Sequence, residues 1–227
     1  ANGLNEKRAV AFAHKVREMD QRDLGVRVFS GLECDILRDG RMDLADDALA
    51  AYGRQGDAIT YYEINAQVVE MARKSFTFLG DTPAKLDIKL GDARLTLERD
   101  PPSGLDVLAV DAFSSDAIPV HLITNEAMAV YLRHLKPGGA VAFHVTNRFL
   151  RLAPVVKKIA DANGLLTALV VDDADETEFS KTDWVLVTRD KDLLAKPALA
   201  SKTSAIDEIP GLNLWTDDFS SLYQILK

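Results

Sequence analysis

Short apolar runs alternate with amphipathic stretches along most of the chain. Apolar runs bounded by turn residues predict strands at residues 26–29, 58–63, 85–90, 105–110, 140–145, 166–171 and 184–188. Apolar positions at helical spacing predict helices at residues 5–19, 43–53, 66–78, 91–97, 125–135 and 152–163. This regular alternation of strands and helices is typical of parallel α/β architecture.

The last two predicted strands have no helix between them, so they can form an antiparallel hairpin at the edge of an otherwise parallel sheet. The run at 105–110 is almost entirely apolar, as expected for a strand buried on both faces. We therefore predict an α/β fold with a Rossmann-like sheet of the S-adenosylmethionine methyltransferase type. The sheet is expected to contain about seven strands, mostly parallel, with an antiparallel edge hairpin. We expect residues 1–227 to form a single domain.

The composition narrows the class of protein. Of the 227 residues, 47% are hydrophobic and the net charge is −8, which indicates an acidic globular protein and argues against nucleic acid as a partner. The single cysteine excludes a disulfide framework and favours a reducing compartment. No apolar run approaches the ~18 residues of a membrane span, and no signal-peptide pattern opens the chain. We therefore expect a cytoplasmic protein with no membrane partner for this chain.

Carboxylates follow three consecutive predicted strands, at or just after the end of each strand. In such sheets, ligands bind beyond the carboxyl ends of the strands, near the change in strand order. Glu63 can accept hydrogen bonds from both ribose hydroxyls of a nucleoside cofactor, or act as a charge at the N-terminus of the next helix. Asp92 can accept from an adenine amino group, or cap a helix.

The third carboxylate, Asp111, ends the buried strand, and Asp116 follows on the next loop. Two carboxylates there form an acidic pocket that suits an amine, because they bind ammonium groups and one can take a proton from the attacking nitrogen. Alternatively, the aspartates and serines of this loop cap the helix that follows. The histidines show no close metal-ligand spacing, and we expect structural roles for three of them: His14, His134 and His144.

Several ordered motifs resemble those of the spermidine synthase-like family. They are YEIN at 62–65, GDARLTLE at 91–98, VDAFSSDAIPVHL at 110–122, LKPGG at 135–139 and WTDDFSSLYQIL at 215–226. The resemblance covers residues 51–227 and is strongest to soluble domains that are fused to transporter-like membrane segments in bacteria.

This resemblance implies an aminopropyltransferase of polyamine biosynthesis. Decarboxylated S-adenosylmethionine (or S-adenosylmethionine) is the implied co-substrate and a polyamine such as putrescine the implied acceptor, with no metal. The matching positions are Glu63 for the ribose-binding acid, Asp92 for the adenine-contacting acid, Asp111 for the acid that activates the amine, and Asp116 for the acid that holds the polyamine. A deprotonated amine then displaces methylthioadenosine, so the protein supplies positioning and proton removal.

Residues 1–50 do not fit this family. Its members carry a glycine-rich loop after the first strand, whereas residues 29–37 contain one glycine and several bulky side chains. Residues 1–50 instead resemble part of the polymerase-and-histidinol-phosphatase (PHP) domain attached to family X DNA polymerases, in which the residue matching Glu33 ligates a metal. The other ligands of that family have no counterpart here, so we expect no metal centre.

Two hypotheses explain this N-terminal segment. Either the chain is a chimera with a junction near residues 48–52, in which the PHP-like segment supplies a helix, the first strand and the next helix, or it is one natural protein with a divergent N-terminus. Three functions follow: an aminopropyltransferase, impaired by loss of the glycine-rich loop; a non-catalytic or engineered chimeric scaffold; or an S-adenosylmethionine-dependent methyltransferase. The resemblance favours the first. The oligomeric state stays open, with a homodimer as one candidate.

Overall fold

The computed structural model describes residues 26–30, 35–36, 42–43, 50, 53–75, 78–112, 119–172 and 182–227. The strands of this part of the chain are β1 (Val26–Ser30), β2 (Asp35–Ile36), β3 (Met42–Asp43), β4 (Ala58–Glu63), β5 (Lys85–Leu90), β6 (Leu105–Asp111), β7 (Leu135–His144), β8 (Leu166–Asp172), β9 (Thr182–Thr188) and β10 (Thr203–Ser204). Its helices are α1 (Ala66–Ser75), α2 (Phe78–Asp81), α3 (Ala93–Arg99), α4 (Asn125–His134), α5 (Ala153–Ala162), α6 (Lys191–Leu194) and α7 (Pro197–Ala200). Short 3₁₀ helices span Val120–Leu122 and Leu222–Ile225. None of the helices described here has both the length and the apolar character needed to cross a membrane.

Eight of the described strands form one mixed sheet in the order β5–β4–β1–β6–β7–β9–β8–β10. The strands from β5 to β7 pair in parallel, whereas β9 pairs antiparallel with both of its neighbours. This is a Rossmann-like α/β arrangement, and β8 and β9 form the predicted hairpin at one side. The prediction of about seven strands misses β10, a two-residue strand that pairs with β8 and lies at the edge of the sheet.

Burial along the strands follows their positions in the sheet. β4 and β6 lie inside the sheet and are buried at nearly every position, as strands covered on both faces must be. β5 lies at the opposite edge from β10, and none of its residues is fully buried. The apolar run at the end of β6 therefore places the polar residue that follows it, Asp111, at the rim of the core.

Two apolar clusters lie on the two faces of the sheet. Leu108 of β6 packs in one cluster with Tyr131 of α4 and Ile159 of α5. Its neighbour Val107 belongs to the other cluster. Because successive side chains of a strand point to opposite faces, α4 and α5 cover the face on which Leu108 lies.

Most predicted elements in the described part match the structure to within two residues, and two differ by more. The helix predicted at 66–78 ends at Ser75, where basic side chains occupy the last turn, and the separate helix α2 follows. The strand predicted at 140–145 begins earlier, at Leu135. Gly139 allows this extension, because a Cβ at that position would lie 2.8 Å from the carbonyl oxygen of Leu105 on β6.

The first residue of the helix predicted at 43–53 belongs to a strand. Asp43 lies in β3 and pairs with Asp35 of β2, so its backbone belongs to a short antiparallel ladder. The helix predicted at 5–19 and most of the one predicted at 43–53 lie outside the described residues.

The C-terminal segment packs against the parts of the chain that follow β6 and β7. The carbonyl of Trp215 accepts a hydrogen bond from the backbone N–H of Asn125 at 2.9 Å, and the carbonyl of Ile225 accepts one from Arg151 at 2.8 Å. Trp215 and Ile225 are fully buried in the cluster that contains α4 and α5. This segment therefore fixes the structure beyond the carboxyl ends of the two strands.

Candidate active site at the carboxyl edge of the sheet

The carboxyl ends of the central strands are level at one edge of the sheet. Ser30, at the end of β1, lies opposite Asp111 at the end of β6. On the other side of β1, the pairing of Val28 with Tyr61 brings Glu63 level with the end of β1. The chain order reverses here, because β4 and β5 lie on one side of β1 while β6 and β7 lie on the other. Open α/β sheets bind ligands at such a point, and Glu63 and Asp111 flank it.

Glu63 is a buried carboxylate, with 3% of its surface exposed. Its Oε1 accepts a hydrogen bond from the backbone N–H of Asn65 at 2.6 Å, directly before α1 begins at Ala66. Glu63 therefore lies at the N-terminus of a helix, as one of its two predicted roles requires, and its contact with a ribose stays a prediction. A carboxylate accepts several hydrogen bonds at once, so this contact is compatible with a nucleoside contact.

Gly91 and Asp92 form the turn from β5 into α3. Gly91 has a φ of +132°, a left-handed conformation that favours glycine. Asp92 caps α3, because its Oδ1 accepts a hydrogen bond from the backbone N–H of Leu95 at 2.9 Å. The helix cap is thus observed, and the contact of Asp92 with adenine stays a prediction.

The other oxygen of Asp92 contacts a histidine. Asp92 Oδ2 lies 2.8 Å from Nε2 of His121, in the 3₁₀ helix that precedes α4. The His121 side chain is 48% exposed, so water screens this pair. The contact joins the turn after β5 to the segment after β6, across the carboxyl edge.

Asp111 pairs with His144 at the ends of two neighbouring strands. Asp111 is 3% exposed, and its Oδ1 lies 2.7 Å from Nδ1 of His144, the last residue of β7. The His144 ring stacks on Trp184 of β9, with ring centroids 4.9 Å apart and planes inclined by 23°. Its Nε2 lies 2.8 Å from Oγ1 of Thr146. A buried carboxylate bonded to an imidazole in this way orients a proton acceptor in many enzymes.

The sequence predicts a structural role for His144 and misses this pairing. The pairing is signalled by the places of the two residues in the sheet. Asp111 ends β6, and His144 ends the parallel neighbouring strand β7. Metal-ligand spacing along the sequence does not detect such a pair. His134 differs, since it is fully buried and its ring contacts Ser103 and the carbonyl of Leu97, as expected for a histidine of the core.

Three residues singled out from the sequence lie outside the described residues. Asp116, the predicted polyamine-holding acid, belongs to 113–118. Glu33 belongs to 31–34, within the stretch where the family has its glycine-rich loop, and His14 belongs to 1–25. The predictions for these residues stay predictions.

A salt bridge joins α3 to the C-terminal segment beside the candidate site. Nη1 and Nη2 of Arg94 donate to the two carboxylate oxygens of Asp217 at 2.6 and 2.5 Å, and the Thr124 hydroxyl donates to the same carboxylate at 2.8 Å. The Arg94 guanidinium therefore holds the pKa of Asp217 below its ordinary value. The bridge connects two of the motifs that carry the family resemblance, those at 91–98 and 215–226.

Apolar side chains are exposed next to the carboxylates on the β4–β5 side. Ile64 directly follows Glu63 and is 77% exposed, and Leu90 at the end of β5 and Leu95 in α3 are also exposed. Apolar surface beside a few hydrogen-bonding groups is the usual composition of a small-molecule site. It suits a flat ring system such as a purine.

Among the described residues, no group of three or more histidine, cysteine, aspartate or glutamate side chains is placed to hold a metal ion. A surface cavity lies beside α1, α2 and the middle of β5, and its lining includes Arg73, Asp81 and Asp87. This cavity lies along the edge strand and away from Glu63 and Asp111.

Comparisons with known proteins identify the fold of this chain. No protein-family model and no curated protein matches the sequence. Among solved structures, a spermidine synthase from Thermotoga maritima is 15% identical with a TM-score of 0.59, over 90% of this chain and 67% of that chain. A protein described as a probable spermidine synthase from Corynebacterium glutamicum ATCC 13032 is 18% identical with a TM-score of 0.62, over 96% and 81%. The O-methyltransferase TomG from Streptomyces achromogenes is 13% identical with a TM-score of 0.54, over 83% and 90%.

The chain has a spermidine synthase-like fold. Identities this low show the fold alone, which these enzymes share with S-adenosylmethionine-dependent methyltransferases. The similar structures named above include no PHP domain, so they lend no support to the PHP-like interpretation of residues 1–50.

Proposed function

We propose that this chain is a transferase that uses an S-adenosylmethionine-related donor, and that it moves an aminopropyl group from decarboxylated S-adenosylmethionine to a polyamine such as putrescine. The observation that carries the proposal is the pair of buried carboxylates, Glu63 and Asp111, on the two sides of β1 where the strand order reverses. Two similar structures support the donor class: TomG is described in complex with SAM, and a spermidine synthase with the transition-state analogue AdoDATO.

The residues on the β4 side suit the nucleoside part of the donor. Glu63 accepts hydrogen bonds from the ribose hydroxyls, and its burial strengthens them because the local dielectric constant is low. Ile64 and Leu90 supply exposed apolar surface for the adenine ring. Asp92 lies at the start of α3, where it can accept from the adenine amino group in exchange for its contact with His121.

The residues on the β6 side suit the acceptor. The buried Asp111 carboxylate and its partner His144 suit an acceptor amine, because together they stabilise positive charge and provide a proton acceptor. The bound donor supplies a carbon activated by the neighbouring sulfonium. This chain contributes binding, orientation and proton removal, which account for most of the catalysis that a direct displacement needs.

Release of methylthioadenosine tests the proposal. The chain is incubated with decarboxylated S-adenosylmethionine and putrescine, and the wild type is compared with Asp111→Asn. Asp106→Asn is the matched control, because Asp106 lies near the other end of the same strand. We expect release by the wild type and the control, and a rate lowered about 100-fold or more in Asp111→Asn. No release at high protein concentration, or equal release by Asp111→Asn, contradicts the proposal.

A methyltransferase that uses the same edge is the second candidate. The bond between Asp111 and His144 favours it, because the imidazole occupies a carboxylate oxygen that a polyamine ammonium group would otherwise contact. Calorimetry separates the two candidates. Tighter binding of decarboxylated S-adenosylmethionine supports aminopropyl transfer, whereas tighter binding of S-adenosylmethionine supports methyl transfer.

The remaining expectations are proposals as well. The position of β1 inside the sheet, paired with β4 and β6, supports a single domain that includes the N-terminal segment. The PHP-like ancestry and the junction near 48–52 are hypotheses that rest on sequence resemblance alone. A homodimer and a cytoplasmic location are likewise proposed from the sequence.

A further inference from the structure

We propose that Thr146 and His144 carry away the proton that the acceptor loses during transfer, and that Asp111 is the positioning residue that holds the imidazole for this task. The inference rests on the proposed function, since it describes the proton step of the same transfer. Its basis is a continuous series of hydrogen bonds. Asp111 Oδ1 lies 2.7 Å from His144 Nδ1, and His144 Nε2 lies 2.8 Å from Thr146 Oγ1.

The partners of the imidazole fix the position of its hydrogen. An ionised carboxylate only accepts hydrogen bonds, so Nδ1 of His144 carries the hydrogen that is donated to Asp111. In the neutral ring Nε2 then has a lone pair, which accepts the hydrogen of the Thr146 hydroxyl. The backbone N–H of Asp183 donates to the same hydroxyl oxygen at 2.7 Å. One lone pair of that oxygen is thus occupied, and the second can accept from a substrate N–H.

The three residues of this hydrogen-bonded series differ in burial, and the outer two are more accessible than Asp111. Thr146 and His144 are half-buried, whereas Asp111 is 3% exposed. The two outer groups are therefore the ones that an acceptor can reach, and the buried carboxylate stabilises the imidazolium that forms. Trp184 stacks on the imidazole and limits its rotation.

The proposed step balances in atoms and charge. The acceptor nitrogen bonds to the aminopropyl carbon, the carbon–sulfur bond breaks, and methylthioadenosine leaves with the electron pair of that bond. The proton of the nitrogen passes to Oγ1 of Thr146, whose own hydrogen moves to Nε2 of His144. The products are a neutral amine, an intact threonine hydroxyl and an imidazolium that is bonded to both Thr146 and Asp111.

This step makes the rate depend on pH. On the strands beside His144, the charged residues near it are Asp111 on β6 and Asp183 on β9, while Asp106 lies near the far end of β6. The imidazole must be neutral before it can take a proton, so the rate falls at acid pH as the ring becomes protonated.

The test measures methylthioadenosine release as a function of pH for the wild type and for His144→Gln, Thr146→Val and Thr146→Ser. Calorimetric binding of methylthioadenosine to each variant reports whether the fold and the donor site are intact. We expect kcat to fall about 100-fold or more in His144→Gln and about tenfold or more in Thr146→Val, with methylthioadenosine affinity within about twofold of the wild type. Thr146→Ser keeps the hydroxyl and therefore most of the activity. The acid limb of kcat/KM is present in the wild type and in Asp106→Asn, and absent from His144→Gln.

A second measurement does not depend on turnover. Nitrogen NMR of the wild-type chain at neutral pH reports which ring nitrogen of His144 carries the hydrogen. We expect it on Nδ1 in the wild type. A hydrogen on Nε2 overturns the inference, because that nitrogen has to accept the proton.

The outcomes separate the inference from the function on which it rests. Wild-type chain that binds no methylthioadenosine and releases none overturns the proposed function, and the proton route with it. Wild-type release that persists in His144→Gln, with the acid limb unchanged, overturns the proton route and leaves the proposed function standing. A fall in both rate and methylthioadenosine affinity indicates a structural role for His144 and also overturns the route.

Discussion

Two carboxylate–imidazole pairs lie at the carboxyl edge of the sheet, and they differ in burial. The side chains of Asp111 and His144 are 2% and 13% exposed, whereas those of Asp92 and His121 are 22% and 48% exposed. In the buried pair the imidazole is held by further contacts, while in the exposed pair the carboxylate also caps α3. The same two chemical groups thus serve different purposes. A low dielectric constant strengthens the buried pair, which suits the proton transfer that we propose, whereas water weakens the contact within the exposed pair.

The comparison is tested most strongly by removing each imidazole in turn. We expect His144→Gln to lower the rate of methylthioadenosine release about 100-fold or more, because it removes the proton acceptor. We expect His121→Gln to change the rate less than about threefold, because its partner is exposed and keeps its bond to the helix N-terminus. Equal losses in the two variants contradict the distinction between the pairs.

Glu63 gives the next largest effect, since we propose that it binds the ribose of the donor. Glu63→Gln removes a buried, charged acceptor, and a hydrogen bond to a charged group is worth roughly 1.5–3 kcal/mol. We therefore expect methylthioadenosine affinity, measured by calorimetry, to fall about tenfold or more. Glu70→Gln on the exposed face of α1 is the matched control and keeps its affinity. Unchanged affinity in Glu63→Gln places the nucleoside elsewhere.

The salt bridge of Arg94 with Asp217 supports the exposed pair from the C-terminal segment. We expect Asp217→Asn to lower the free energy of unfolding at neutral pH by about 1 kcal/mol, a modest loss because the Asp217 side chain is 42% exposed. Asp218→Asn makes the same charge change one residue away and is expected to have little effect. Urea denaturation measures both.

The pH dependence of this loss has a definite sign. Because Arg94 holds the pKa of Asp217 below its ordinary value, the bridge stabilises the fold at pH values above the ordinary range for aspartate. The stabilisation is lost as the pH falls through the lowered pKa. The difference between wild type and Asp217→Asn should therefore shrink at acid pH, and a difference that grows there contradicts the assignment.

The smallest expected changes in stability concern Asp92, and they separate its role as a helix cap from its proposed contact with adenine. Asparagine caps helices as well as aspartate does, so we expect Asp92→Asn to change the free energy of unfolding by less than about 0.5 kcal/mol, and Asp92→Ala to lower it by about 1 kcal/mol. A fall in methylthioadenosine affinity in Asp92→Asn then reports an adenine contact. Unchanged affinity leaves Asp92 as a cap alone.

Most of the fold was predictable because a short stretch of sequence is enough to identify each of its longer strands and helices. The apolar run before Asp111 and the shorter runs before Glu63 and Asp92 each identify a strand and its polar end. β10 consists of two polar residues, so no apolar pattern predicts it, and Asp43, predicted as the start of a helix, pairs with Asp35 in a short ladder.

The candidate site was predictable only in part. Glu63, Asp92 and Asp111 could be found because each lies at or just after the end of a strand along the sequence. The bonds from His144 to Asp111 and from His121 to Asp92 join residues about 30 positions apart, so they depend on how the sheet brings together strand ends and the segments that follow them. Arg94 and Asp217 are further apart still, and no sequence period connects them.

A crystal structure with methylthioadenosine bound is the most direct test of the central claim, that the point of reversed strand order holds a nucleoside donor. The account predicts ribose hydroxyls within hydrogen-bond distance of Glu63, and the sulfur of the nucleoside on the side of Asp111 and His144. A nucleoside bound away from Glu63, for example in the cavity beside the middle of β5, would contradict the claim.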